Sequence, residues 1–192
     1  TNADLWGFEI NPHLEILFPQ KDNLHFISTD LEDLEGPFDL ITLSHSILYI
    51  PDVPELMASI SRLLKDDGTL FIQIPDIYTN PFYSLMGDQS FIFTEASLNN
   101  VLGHFGYRVK LVNNDYFLRE LLVTAQKDES VDLSSYKENN LFEDNIEIIN
   151  RVKKELKNIT YDNLTVLGTT VNAAFVDEII GGRIEFFVDE NS

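Results

Sequence analysis

Apolar residues come in short runs broken by polar punctuation, and the period of each run limits what it can form. Leu5 to Phe8, His25 to Ser28, Phe38 to Leu43 and Thr69 to Ile74 read as strands, the third most strongly. Between them, Asn11 to Pro19 reads as a brief helix with Pro12 near its start. Leu56, Met57, Ile60, Leu63 and Leu64 recur at helical spacing over Pro54 to Lys65, and "DDG" places Gly68 where a helix C-cap belongs. Thr94-Glu95-Ala96 opens another helix that runs to His104 or Phe105 and stops at Gly106. Tyr107 to Val112 and Leu121 to Ala125 then read as two strands joined by a turn at Asn113-Asn114-Asp115.

Strands alternating with helices predict βαβ units and a mainly parallel sheet. The last two strands have no helix between them, so they should pair antiparallel at one edge. The chain turns polar from Lys127 to about Lys137, which reads as a linker. Leu141 to Lys157 follows as an amphipathic helix with Ile146, Ile149, Val152 and Leu156 on one face. A second unit closes the sequence: strand Leu164 to Leu167, a "GTT" turn, helix Val171 to Ile180, a Gly181-Gly182 stop and strand Ile184 to Val188. The expected division is 1–127, then a linker and helix over 128–158, then 159–192. Both ends read as if cut through a fold, so an internal fragment is expected.

Composition narrows the chemistry. Hydrophobic residues make up 44% of the 192, enough for a core. A net charge of −19 argues against a nucleic-acid surface, which needs clustered Lys and Arg. The chain has no cysteine, so neither a disulfide framework nor a thiolate zinc site is available; this fits a reducing, cytoplasmic setting. No metal site is expected, because its ligands would have to come from four scattered histidines and the acids. No apolar run approaches the length of a membrane span.

In an open parallel sheet, ligands bind beyond the carboxyl ends of the strands. The first strand ends on Glu9, the second on Thr29-Asp30, the third on Ser44-His45 and the fourth on Pro75-Asp76. A carboxylate directly after a strand can accept two hydrogen bonds from a ribose diol, which suits Glu9. Asp30 could accept from an adenine amine, and together the two acids describe an adenosine site. Acids after strands are also common in so acidic a chain, with Asp30 in a loop beside Glu32, Asp33 and Glu35. What distinguishes them is the order: an acid, a second acid about twenty residues on, then "FDLITLSHSILYI", a helix, and "LLKDDGTLFIQIPD".

That succession resembles the class I S-adenosylmethionine-dependent methyltransferases over Asp4 to about Gln126. The resemblance rests on "WGFEINP", "FISTDLEDL", "FDLITLSHSILYIPDVPELMASISRLLKDDGTLFIQIPD" and "FIFTEASLNNVLGHFGYRV". It implies a Rossmann-like, mostly parallel α/β sheet with an antiparallel edge strand, starting here at the fold's second strand. The glycine-rich turn and first strand of the family would precede residue 1. It also implies S-adenosylmethionine as cofactor: Glu9 on the ribose hydroxyls, Ile10 beside the adenine, Asp30 with Leu31 on the base, and Ser44-His45 bordering the methionine part and the methyl. The tail "YDNLTVLGTTVNAAFVDEIIGGRIEFFVDENS" resembles the start of the Rossmann-like C-terminal domain of multidomain methyltransferases, sugar C-methyltransferases among them. A small-molecule acceptor, a sugar or nucleotide-sugar among the choices, follows as the expected partner. Gly168, with Asp189 twenty-one residues on, would suit a nucleotide-type site, though "GTTVNA" is not G-x-G-x-x-G; a structural or substrate-positioning module is the plainer reading.

Methyl transfer requires an aligned acceptor and, where needed, a base. Candidates for that role are His45, Tyr49, Asp76 and Asp88 in the loop "MGDQSFIF". In sugar C-methyltransferases the acid of that loop precedes a histidine that moves a proton. Here Asp88 precedes Gln89, which cannot act as a base and turns the expectation toward oxygen or nitrogen acceptors. Two alternatives stand beside this reading: a catalytically inactive methyltransferase-like binding module, and an NAD-dependent oxidoreductase. The second calls for a Tyr/Lys pair or similar hydride-transfer apparatus, which the sequence does not show. Neither the acceptor nor the oligomeric state is written in the sequence.

Overall fold

A computed structural model describes residues 3–9, 11, 13, 16, 21–27, 31–113, 115–128, 130 and 140–189. Strands β1 (Leu5–Phe8) and β2 (Leu24–Ile27) pair in parallel, with Leu5 opposite Leu24 and Phe8 opposite Ile27. Trp6 stacks on its register partner His25 at 4.3 Å between ring centroids, and its edge meets Phe38 at 6.2 Å. The helix expected over Asn11 to Pro19 falls mostly outside the described residues, as do Ile10, Asp30 and the linker positions 131–139.

The second sheet holds four strands in the order β3-β4-β6-β5. These are β3 (Phe38–Ser44), β4 (Leu64–Pro75), β5 (Tyr107–Asn113) and β6 (Glu120–Lys127). β3 and β4 run parallel, whereas β6 is antiparallel to both β4 and β5. The fold is therefore α/β with a mixed sheet and the antiparallel hairpin that the missing helix between β5 and β6 dictates.

Helix α1 (Val53–Leu63) starts where Asp52 accepts a hydrogen bond from Glu55 N at 2.9 Å, with Pro54 in the first turn. Helix α2 (Glu95–His104) opens with a capping box in which Thr94 and Ser97 exchange side-chain to backbone bonds. Both bury one face. Leu56, Met57 and Ile60 of α1 and Leu98 and Leu102 of α2 join Leu70, Ile72 and Ile74 of β4 in one core. Each such side chain contributes about 1.5–3 kcal/mol by leaving water. Tyr107 is buried in the same core, its hydroxyl 3.0 Å from Ser61 Oγ.

One boundary differs from expectation. The helix ends at Leu63, and Leu64 is already extended, so "DDG" is strand rather than turn and Gly68 does not serve as a left-handed cap. Contacts far away in sequence decide this. Lys127 Nζ donates to the Leu64 carbonyl at 2.7 Å and meets Asp66 Oδ1 at 3.1 Å, while Lys65 Nζ pairs with Asp39 Oδ1 on β3 at 2.6 Å. A turn signal of three polar residues yields to a strand held from both neighbours.

After position 140 the chain forms α3 (Leu141–Lys157), β7 (Leu164–Leu167), α4 (Val171–Ile180) and β8 (Ile184–Val188), with β7 and β8 parallel. The face that α3 buries is rotated from the expected one. Leu141, Asn145 and Ile149 are buried, while Ile146 is 37% exposed. Asn145, 1% exposed, explains the rotation: its Nδ2 donates to the Ile77 carbonyl at 3.0 Å, so a polar side chain faces inward with its bond satisfied.

Candidate functional site

Glu9, Ser44, His45 and Asp76 follow or close the carboxyl ends of β1, β3 and β4. Glu9 follows β1, half-buried, and its Oε1 accepts from Asn11 N at 3.0 Å. Its Oε2 carries no hydrogen bond among the described residues, which leaves an acceptor-only oxygen suited to a hydroxyl donor. Ile10 and Asp30 lie outside the described residues. Leu31 begins a short 3-10 turn, and here an unforeseen residue enters: Arg62 of α1 donates to the Leu31 carbonyl at 2.7 Å and to the Leu34 carbonyl at 3.0 Å. The turn at Leu31–Leu34 is thus pinned to a helix of the main core.

Ser44 ends β3, its hydroxyl exposed and 3.3 Å from Gln73 Oε1 on β4. His45 comes next with φ +55°, a left-handed backbone that costs a non-glycine residue about 1–2 kcal/mol. Its amide donates to the Gln73 carbonyl at 2.8 Å, which fixes the bend. Its Nε2 lies 3.0 Å from Glu120 Oε2, with side-chain exposures of 40% and 16%. Gln73 Nε2 approaches the same carboxylate oxygen at 3.5 Å. This contact is an ion pair when the ring carries its second proton, and it leaves Nδ1 as the ring nitrogen not turned toward the acid.

Register explains how residues so far apart in sequence meet. Ser44 pairs with Gln73 and Glu120 pairs with Pro75, so an acid that opens an antiparallel strand lands at the carboxyl ends of its parallel neighbours. Arg119 precedes it with φ +68°, and of the three described non-glycine residues with positive φ, two flank this cluster. Such strain gathers where surrounding structure enforces a functional geometry. Asp76 N donates to the Arg119 carbonyl at 2.8 Å. The Asp76 carboxyl is only 3% exposed; Oδ1 accepts from Tyr78 N at 3.0 Å and Oδ2 has no hydrogen-bond partner among the described residues.

Tyr49 closes a 3-10 turn and is exposed. Tyr83 was not foreseen: burial pushes its hydroxyl above the ordinary tyrosine value, with the Glu120 charge and Tyr49 adding and Arg119 opposing. Asp88 is not brought into this group; it is exposed, with no hydrogen bond or ion pair among the described residues. In the C-terminal unit, Gly168 takes φ +102° and Thr169 Oγ1 donates to Asp189 Oδ2 at 2.6 Å, so this acid closes its own turn. Among the described residues no three His, Asp or Glu side chains gather as a metal site, and no helix is long and apolar enough to cross a membrane.

A family model described as a methyltransferase domain matches residues 1–112. The chain belongs to the class I S-adenosylmethionine-dependent methyltransferases. Over 67 residues the chain is 31% identical to trans-aconitate 2-methyltransferase of Deinococcus radiodurans, a match covering 35% of this chain and 26% of that protein. It thus spans about a quarter of that relative's length. Among solved structures it is similar to a type 11 methyltransferase of Sulfolobus solfataricus, with TM-score 0.53, 17% identity and coverage of 70% of this chain and 77% of that one. It is also similar to an S-adenosylmethionine-dependent methyltransferase of Mesorhizobium loti, with TM-score 0.51, 17% identity and coverage of 65% and 81%. At such identities the likeness is one of fold.

The residues present fit the cofactor of the family. Glu9 offers an open carboxylate oxygen at a strand end, which matches a vicinal diol. Ser44 offers an exposed hydroxyl at the end of β3.

Proposed function

We propose that this methyltransferase moves a methyl group from S-adenosylmethionine to an oxygen or nitrogen of a small-molecule acceptor, with His45 as the base and Glu120 as the group that holds it. The contact of 3.0 Å between His45 Nε2 and Glu120 Oε2 carries the reading. Glu9 would hold the ribose hydroxyls, Ile10, Asp30 and Leu31 the adenine side, and Ser44 the edge of the methionine part. When bound, the cofactor supplies a methyl already activated on a sulfonium and leaves as a thioether.

The chain's own residues then have two tasks. The acceptor must be aligned with the methyl, and its proton must go somewhere. An acceptor O–H or N–H gives its proton to His45 Nδ1 as its lone pair forms the new bond to carbon. Glu120, 3.0 Å from Nε2, offsets the positive charge that develops on the ring.

A carboxylate acceptor is the second reading, favoured by the name of the Deinococcus relative. A carboxylate is already deprotonated and needs no base, so the two readings part at His45. A sugar or nucleotide-sugar supplies hydroxyls and suits the first reading, with only the resemblance of the tail in its support. The test is transfer of a labelled methyl from S-adenosylmethionine to a panel of hydroxyl, amine and carboxylate acceptors, for the wild type and His45→Gln. Transfer to hydroxyls or amines that collapses in the variant is expected. Carboxylate methylation untouched by the variant would replace the reading, and no transfer to any class would leave a binding module.

A further inference from the structure

The segment after β4 is gripped from two sides. At its start it is tied to the catalytic end of the sheet, where Asp76 N donates to the Arg119 carbonyl at 2.8 Å. Further on it is tied to the C-terminal unit: the Ile77 carbonyl accepts from Asn145 of α3 at 3.0 Å, and Phe82 meets Phe175 of α4 edge-on at 5.2 Å. Phe82 belongs to the 3-10 turn Pro81–Leu85, and the next residue of that turn is Tyr83. The groups whose charges act on Tyr83 are Glu120 and Arg119 at the start of β6 and Tyr49 of the 47–49 turn. One turn therefore carries the ring that meets the C-terminal helix and, beside it, a hydroxyl that feels the charges at the start of β6.

Such a turn cannot hold itself. A 3-10 turn has poor hydrogen-bond geometry, and this one has the Tyr83 N to Asn80 carbonyl bond at 3.2 Å and the Met86 N to Tyr83 carbonyl bond at 3.1 Å. Its position must come from what packs on it. The buried amide of Asn145 is the strongest sign, because an amide out of water is tolerated only where its partner is fixed.

We propose that the C-terminal unit is a positioning element for the acceptor side of the site: α3 and α4 clamp residues 77–85, and the clamp sets where Tyr83 stands against Glu120 and Tyr49. The inference rests on the reading of His45 and Glu120 as the acceptor centre. It makes Phe175 and Asn145 positioning residues that act on a site they do not touch.

The test follows the ionisation of Tyr83 in the full chain by tyrosinate absorbance, assigned by its loss in Tyr83→Phe. In the wild type the midpoint should lie above the ordinary value of about 10. Phe175→Leu keeps an apolar side chain but removes the ring, and the midpoint should fall toward that of an exposed tyrosine. Phe175→Tyr keeps the ring and should restore the wild-type midpoint, while binding of S-adenosylhomocysteine stays unchanged in both. Should Phe175→Leu fail to fold, Phe82→Leu breaks the same ring pair from the other side. An unmoved Tyr83 midpoint on loss of the ring pair would overturn the proposal, as would a parallel loss of S-adenosylhomocysteine binding, which would mean the clamp supports the whole fold. Failure of the His45 assignment shows in methyl-transfer kinetics and leaves this titration untouched, so the two outcomes are distinguishable.

Discussion

His45 and Glu120 stand 75 positions apart in sequence and meet at 3.0 Å, Nε2 to Oε2, across the carboxyl end of the sheet. The acid is the more buried of the two, as suits a group that orients rather than reacts. Glu120→Ala removes the orienting oxygen and leaves the imidazole free to turn. Its turnover should fall by more than about tenfold, yet by less than the roughly 10²–10⁴ that a general base contributes. Glu120→Gln keeps a side chain of the same shape beside Nε2 without the charge and should recover part of the rate, a comparison that steady-state kinetics makes directly.

Glu9 offers its open oxygen at the end of β1, and its fold contacts are modest. Glu9→Ala should weaken S-adenosylhomocysteine by at least about tenfold through lost hydrogen bonds to a charged acceptor. The thermal unfolding midpoint should barely move. Calorimetric titration decides, and equal affinity would remove Glu9 from the ribose.

Asn145 donates inward to the Ile77 carbonyl from the buried face of α3. Asn145→Ala would orphan that carbonyl and leave a small cavity. A loss of about 1–3 kcal/mol is expected from the unsatisfied acceptor. Urea unfolding measures it.

At the surface, Arg108 Nε lies 2.5 Å from Asp128 Oδ2, and Ser130 donates to Asp128 Oδ1 through its amide at 2.9 Å and its hydroxyl at 2.6 Å. The Arg108 hydrogen bond first, then the Ser130 bonds, hold the Asp128 carboxyl well below the usual carboxylate range. A pKa lowered by folding contributes stability above the unfolded value of about 4, and that contribution is lost as pH falls toward the folded value. Asp128→Asn should therefore be less stable than the wild type near neutrality and indistinguishable from it in strong acid. Salt should shrink the difference, since the pair lies at the surface. Unfolding curves across pH give the answer.

Much of this was legible because local signals agreed with the fold. Phe38 to Ser44 reads as a strand in isolation and is one, and the absence of a helix between β5 and β6 fixed their antiparallel pairing. Where distant contacts decide, the sequence was silent. "DDG" looks like a turn until Lys127 and Asp39 hold it in the sheet. Glu120 carried a faint signal, an acid opening the apolar run "ELLVTA" just after a turn, but its pairing with His45 needs the register of β4 and β6. Asn145 interrupts an apolar face, and only the buried Ile77 carbonyl explains why that face turns toward it.

The most direct measurement is single-turnover methyl transfer by the wild type and His45→Gln, using the best hydroxyl or amine acceptor of the panel and saturating S-adenosylmethionine. The prediction is a rate lower by about 10²–10⁴ in the variant, with S-adenosylhomocysteine affinity preserved. Equal rates in the two proteins would contradict His45 as the base.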